Sequence, residues 1–398
     1  MDKRYVVIGA GIAGLSAAEA IRRQDSRGQI VLLSGEAELP YARPMLSKAP
    51  LLSMELKKLS LRQPSWYRSQ DIDLRLGVMA EELDPGAGTV TLRGGERLAY
   101  DKCVLATGAR NFIPPFPGRE EVPLCDVRTL EDLRRMRRMA EGSKRAVIIG
   151  GGVIGLEVAA ELYHYGLETT VLEAMDYLMP RLIGPKTSDW LRAQLPGLHV
   201  ETGVAVAGLR REGQTIFVDE KNGRSWPCEL LVVSCGVRAD TALAQQAGIA
   251  CERAIVVNER METSAEGVYA CGDCAQFRGF NAALWSQGQE QGRVAGTNAA
   301  GGCAVYTGCD TSLVLNLDGV ALFALGDLGQ SGGADYEIEE SSWGQRKTFQ
   351  VDPRRPAVPG RGLRVWKGEK LVGVSLMGDL TKMQAWKTQL LKERDGGK

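Results

Sequence analysis

The chain opens on an uninterrupted apolar run, Tyr5-Val6-Val7-Ile8, of the kind that a parallel sheet buries on both faces. A six-residue turn, Gly9-Ala10-Gly11-Ile12-Ala13-Gly14, leads into apolar positions that keep the helical period through Ile21-Arg22-Arg23, and Gln29-Ile30-Val31-Leu32-Leu33 supplies a second strand. The phrase then recurs. Ala146-Val147-Ile148-Ile149 reads as a strand, Gly150-Gly151-Gly152-Val153-Ile154-Gly155 as the turn, Leu156 to Tyr165 as the helix and Thr169-Thr170-Val171-Leu172-Glu173 as the next strand. This double occurrence predicts an α/β protein with two Rossmann-like units, each on its own parallel sheet. From about Thr311 the pattern changes. Leu313–Leu317 and Val320–Leu325 read as strands, Gly362–Trp366 and Lys370–Leu376 as a hairpin and Leu380–Lys392 as a closing helix, a small α+β unit with no glycine turn.

The glycine turns carry a chemistry. The first glycine permits the sharp strand-to-helix turn, the second lets a pyrophosphate approach the backbone, and the helix start offers unpaired N–H groups to that anion. An acid follows each turn where an acceptor for a ribose 2′-hydroxyl belongs: Glu36 stands 22 residues beyond Gly14, and Glu173 stands 18 beyond Gly155. Two fingerprints predict two dinucleotide sites. The Glu173 carboxylate repels the 2′-phosphate of NADP, and no basic residue follows it in Ala174-Met175-Asp176. The second site is therefore expected to take NADH, with NADPH disfavoured.

Composition narrows the class. At 398 residues, 44% hydrophobic and 25% charged, the chain is long enough for two or three domains and a bulky cofactor. Lys+Arg 49 balance Asp+Glu 49, which leaves no field to attract nucleic acid or an anionic membrane. Met1-Asp2-Lys3-Arg4 runs straight into the first strand, so a cytoplasmic protein without a membrane span is expected. The nine scattered cysteines suit a reducing compartment. Only His164 and His199 are present, and no metal site is expected.

The order of motifs resembles the FAD-dependent pyridine nucleotide-disulfide oxidoreductases, the two-dinucleotide flavoproteins that include glutathione reductase, ferredoxin reductases and apoptosis-inducing factor. The resemblance rests on the first fingerprint, Leu39-Pro40-Tyr41-Ala42-Arg43-Pro44-Met45-Leu46-Ser47-Lys48, Ala106-Thr107-Gly108-Ala109-Arg110, the second fingerprint and Tyr269-Ala270-Cys271-Gly272-Asp273. Within that superfamily the chain is most similar to NADH:rubredoxin oxidoreductase and the flavin portion of assimilatory nitrite reductase. The resemblance implies that the NAD domain is inserted into the FAD domain. FAD would occupy residues 1–112 and 239–310, NADH residues 113–238, and residues 311–398 would form an interface domain. The chain would cross at Ile113-Pro114-Pro115-Phe116-Pro117-Gly118 and return near Cys235-Gly236-Val237-Arg238.

The same resemblance assigns residues. Gly9, Gly11, Ala13, Gly14, Glu36, Arg43, Pro44, Ala80, Ala106, Thr107, Gly108, Arg110, Gly272 and Asp273 would contact FAD. Gly150, Gly152, Val153, Ile154, Gly155, Glu173 and Gly236 would contact NADH. Lys48 would sit at the N5 edge of the flavin and Glu157 near the nicotinamide, paired with Lys48, and these two are the expected catalytic residues. Trp285 and Gln291, within Asn281 to Asn298, would cover the pyrimidine end.

The acceptor is read from what is missing. Disulfide-reducing and NADH-oxidising members carry a cysteine after the first fingerprint, whereas Pro44-Met45-Leu46-Ser47-Lys48 has none. Cys271-Gly272-Asp273-Cys274 lies in the FAD motif, and its thiols read as packing groups. NADH is therefore expected to deliver hydride to the flavin, which passes electrons to a small redox protein such as rubredoxin. The alternatives are a flavin subunit of a larger complex, an NADH oxidase or small-molecule reductase, and an NADH-binding redox sensor of the apoptosis-inducing type, as monomer or homodimer. The arginine-rich segment Leu133–Met139 reads as a solvated helix face with Met136 and Met139 turned inward.

Overall fold

The computed structural model describes residues 2–48, 56–317, 319–329, 335–344 and 358–395. The first sheet is five-stranded and parallel, in the order Val268–Ala270, Lys102–Leu105, Arg4–Ile8, Gln29–Leu33, Ile72–Arg75. Tyr5 to Ile8 are all buried, as their unbroken apolar run requires. The second sheet is parallel and four-stranded: His199–Glu201, Glu168–Leu172, Arg145–Ile149, Leu230–Val233. One edge strand of the first sheet, Val268–Ala270, follows the whole second sheet in sequence, so the second unit is inserted into the first. Where the chain passes between them, Ala109–Asn111 pairs antiparallel with Val237–Ala239.

Each parallel sheet has an antiparallel companion that the apolar pattern did not announce. One is Ala80–Asp84, Thr89–Leu92 and Arg97–Ala99, and the other Val206–Glu212, Thr215–Glu220 and Ser225–Cys228. The C-terminal unit is a five-stranded antiparallel sheet ordered Leu313–Leu317, Val320–Gly326, Lys370–Met377, Gly360–Lys367, Tyr336–Trp343, with the helix Met383–Asp395. That helix begins three residues later than the apolar pattern suggests. The strand Tyr336–Trp343 was not expected, because its Glu337, Glu339 and Glu340 leave no alternating apolar face at this edge. The C-terminal sheet shares one buried cluster with the second unit: Leu315, Leu322 and Val365 join Leu156, Leu162 and Ile183. Thr187 and Ser375 hydroxyls lie 2.7 Å apart across that contact.

The helix Ile12–Gln24 lies against the helix Trp285–Ala299, and glycine makes their approach possible. A Cβ on Gly292 would overlap the Ala13 carbonyl oxygen. A Cβ on Gly288 would come no nearer than 3.3 Å to any atom, the Ile12 Cγ2 methyl, with Ala13 Cβ and Gly272 Cα at ordinary contact distance. The arginine-rich helix Leu130–Ala140 starts with a capping box in which the Thr129 side chain accepts from Asp132 N–H, and it buries Met136 fully and Met139 partly.

Gly292→Ala is expected to destabilise the protein by about 2 kcal/mol through overpacking, and Gly288→Ala by distinctly less. Thermal midpoints of the two variants check this. Equal losses would contradict the close helix contact.

Candidate functional site

A cavity of about 900 Å³ lies where the two units meet. Besides the capped helix Leu130–Ala140 and the short helix Ala242–Gln246, three helices begin at its wall: Ile12–Gln24 with Gly11, Ile12 and Ala13, Val153–His164 with Val153 and Ile154, and Trp285–Ala299 with Leu284 and Trp285. None of these three has a side-chain cap, and none has an acid in its first turn. A helix start so exposed presents unpaired N–H groups and a positive dipole end to whatever fills the space. At Gly11 and at Gly152 a Cβ would meet nothing within 4 Å. At these second glycines both turns leave open room.

The side chains supply charge. The Glu36 carboxylate accepts from Arg43 Nη2 at 2.8 Å and from the Tyr41 hydroxyl at 2.6 Å. Arg43 also donates to the Arg128 carbonyl, and the Arg128 guanidinium pairs with Asp273 at 2.7 Å. Arg43, Lys48, Arg110 and Arg128 thus bring four cations to the wall, among the carboxylates Glu36, Glu38, Glu81, Glu157, Asp240 and Asp273. Arg110 makes a two-pronged pair with Asp240 at 2.9 and 3.0 Å, tying the two crossing strands together.

Glu157, on the helix of the second unit, is the most buried carboxylate of the cavity wall, 6% exposed. Its Oε2 accepts from the Ser47 hydroxyl at 2.5 Å, and its Oε1 lies 3.8 Å from Lys48 Nζ. Burial raises its pKa above the ordinary carboxylate range, while the Ser47 hydrogen bond and the Lys48 charge pull it down.

Most of the residues singled out from sequence line this cavity: Gly9, Gly11, Ala13, Glu36, Arg43, Pro44, Lys48, Ala80, Ala106, Thr107, Gly108, Arg110, Val153, Ile154, Glu157, Gly272, Asp273 and Trp285. Gly14, Gly150, Gly152, Gly155, Glu173, Gly236 and Gln291 stand outside its lining. Gly14 and Gly155 are where a Cβ would overlap the carbonyl oxygens of Gly9 and Gly150, so they serve helix–strand packing. Glu173 accepts from the Gly151 and Met175 N–H groups at 2.8 and 2.9 Å and so braces the second turn. The fully buried Gln291 accepts from the Gly272 N–H at 2.8 Å and holds the Asp273 segment rather than reaching the cavity. Gly236 accepts from the Phe112 N–H at 2.8 Å at the crossing.

Sequence reasoning passed over Tyr41, Ser47, Arg128 and Asp240. Arg128 directly precedes the Thr129 cap of a helix, the one local signal that it had a fixed place. All nine cysteines are free. Cys271 is the one that lines the cavity, and complete burial drives its thiol well above its ordinary pKa. Burial also raises Cys274. Among the described residues no helix is long and apolar enough to cross a membrane.

The sequence profile of the pyridine nucleotide-disulphide oxidoreductases matches residues 3–297. The chlorobenzene dioxygenase ferredoxin reductase component of Cupriavidus sp. (strain PS12) is 36% identical over 279 residues, 70% of this chain and 68% of that protein. The rubredoxin-NAD(+) reductase of Pseudomonas putida is 35% identical over 277 residues, 69% of this chain and 72% of that protein. Among solved structures, the NAD-dependent persulfide reductase from A. fulgidus superposes with a TM-score of 0.88 at 28% identity, covering 98% of this chain and 77% of that one.

Because the folded-state pKa of Glu157 is raised, its contribution to stability is complete below the unfolded carboxyl value and lost as pH rises through the folded one. Glu157→Gln should therefore gain in thermal midpoint relative to the unmodified protein between pH 4 and pH 8. A gap independent of pH would mean that Glu157 does not titrate with a raised pKa.

Proposed function

This chain belongs to the pyridine nucleotide-disulphide oxidoreductase family, and we propose that it is an FAD-dependent NADH oxidoreductase that passes electrons to a small redox protein of the rubredoxin or ferredoxin kind. One observation carries the reading: Gly11 and Ala13 of the first glycine turn and Val153, Ile154 and Glu157 of the second unit line a single cavity. In this reading residues 1–112 and 239–310 hold FAD, residues 113–238 hold NADH, and residues 311–398 are the interface domain, adding Val314 and Leu315 to the wall.

The residues present fit those groups. The uncapped helix starts and the room beside Gly11 and Gly152 suit two pyrophosphates. Arg43 and Arg128 offer charged donors to a phosphate oxygen. FAD bound here supplies uptake of two electrons from NADH and their release one at a time. Lys48 carries positive charge into the cavity, where it favours any charge that develops on a bound ring. Glu157 orients that ammonium. Glu173, beside the second turn, receives a ribose hydroxyl and disfavours a 2′-phosphate.

A carrier protein as acceptor is supported by the cavity wall, whose cysteine is a fully buried thiol held protonated and so a poor nucleophile. It is supported too by relatives that are themselves a ferredoxin reductase component and a rubredoxin-NAD(+) reductase. Nine free cysteines suit the reducing cytoplasm as its location.

Oxygen-free protein loaded with FAD and reduced by NADH should be reoxidised at least tenfold faster by rubredoxin or ferredoxin than by a disulfide. Faster reoxidation by the disulfide would overturn the acceptor assignment. Glu173→Ala should raise KM for NADH about tenfold, the value of one good hydrogen bond to a charged group, and leave KM for NADPH unchanged or lower. An equal loss with both nucleotides would reduce Glu173 to a brace of the turn.

A further inference from the structure

The Lys48–Glu157 pair does not explain its own geometry. At 3.8 Å it is too long for a tight hydrogen bond, and Lys48 is 43% exposed on a flexible stem. Such a cation does not fix how a carboxylate is turned. Something else holds Glu157, and the two oxygens show what: Oε2 is taken by the Ser47 hydroxyl at 2.5 Å, and Oε1 is left facing the ammonium.

We propose that Ser47 is a positioning residue, whose hydroxyl claims one oxygen of Glu157 and so aims the other at Lys48 across the junction of the two nucleotide-binding units. The idea rests on the reading of this cavity as the place where FAD and NADH meet. Ser47 and Lys48 are neighbours in the first unit, whereas Glu157 belongs to the helix of the second. Two adjacent side chains therefore grip one carboxylate from opposite oxygens. Ser47 is 5% exposed and Glu157 6%, so no bulk water competes for Oε2.

The charged group that acts on Glu157 is Lys48, from the first unit. Within its own unit, Glu173 spends both oxygens on the Gly151 and Met175 N–H groups. Without the Ser47 hydroxyl, the ionised and little-exposed carboxylate loses its one protein hydrogen-bond donor, and it is free to rotate away from Lys48. Thr keeps a hydroxyl at the same atom, and Ala does not.

Two series test this on the full chain. In the first, thermal midpoints of the FAD-free protein are recorded from pH 5 to pH 8. Ser47→Ala should fall more steeply with rising pH than the unmodified protein, and Ser47→Thr should restore the slope. A serine needed only for packing would lower every midpoint equally, and that result overturns the proposal. In the second, NADH reduces the FAD-loaded protein without oxygen. Ser47→Ala should move the acid limb of the rate up by about one pH unit, losing about tenfold well below the limb and less than twofold above it, with KM for NADH unchanged. An unshifted limb overturns the proposal. If NADH fails to reduce even the unmodified protein while the thermal series behaves as expected, the assigned activity falls and the positioning role of Ser47 stands.

Discussion

Backbone N–H groups at the start of a helix have no partner within the helix, and a protein satisfies them with caps, water or ligand. Here three helices start uncapped, without an acid in the first turn, at one shared wall. Two are tied to the strand behind them by glycine turns and the third lies against the first through Gly292 and Gly296, contacts that only glycine allows, so none can withdraw to find a side-chain partner. The arrangement is complementary to anionic, elongated ligands. Arg43, Lys48 and Arg128 add cations at the wall, each beside a carboxylate, Glu36, Glu157 and Asp273 in turn. Burial of hydrophobic surface builds the scaffold, but these orphan donors decide what the scaffold can hold.

The second unit is not free to place its helix anywhere. Leu156 and Leu162 on one side of that helix share a buried cluster with Leu315, Leu322 and Val365 of the C-terminal sheet. On the side toward the cavity, Glu157 reaches Ser47 and Lys48 of the first unit. Packing behind and a buried polar contact in front thus hold both nucleotide-binding turns around one space. A carboxylate is costly to bury. That cost falls only because one oxygen receives a hydrogen bond and the other faces a cation.

Much of this was legible in the sequence wherever a residue type had a local reason to be there. The fingerprint turns could be read because sharp turning and close packing restrict Gly9, Gly14, Gly150 and Gly155. Lys48 and Glu157 could be named from motif order. Ser47 and Arg128 could not, because their partners lie 110 and 145 residues away and no spacing encodes such contacts. Gln291 was read as a ligand contact and is a buried brace on Gly272, a distinction that depends on a few ångströms of tertiary placement. The acidic edge strand Tyr336–Trp343 escaped notice because an exposed edge needs no apolar alternation.

The central claim is that one cavity brings two dinucleotides together, and titration of NADH into FAD-loaded protein under argon, followed at the visible flavin band, tests it most directly. The account predicts that the band is bleached stoichiometrically, with an end point at one NADH per chain. Binding of NADH with the yellow colour undiminished, or failure of the chain to retain FAD, would contradict it.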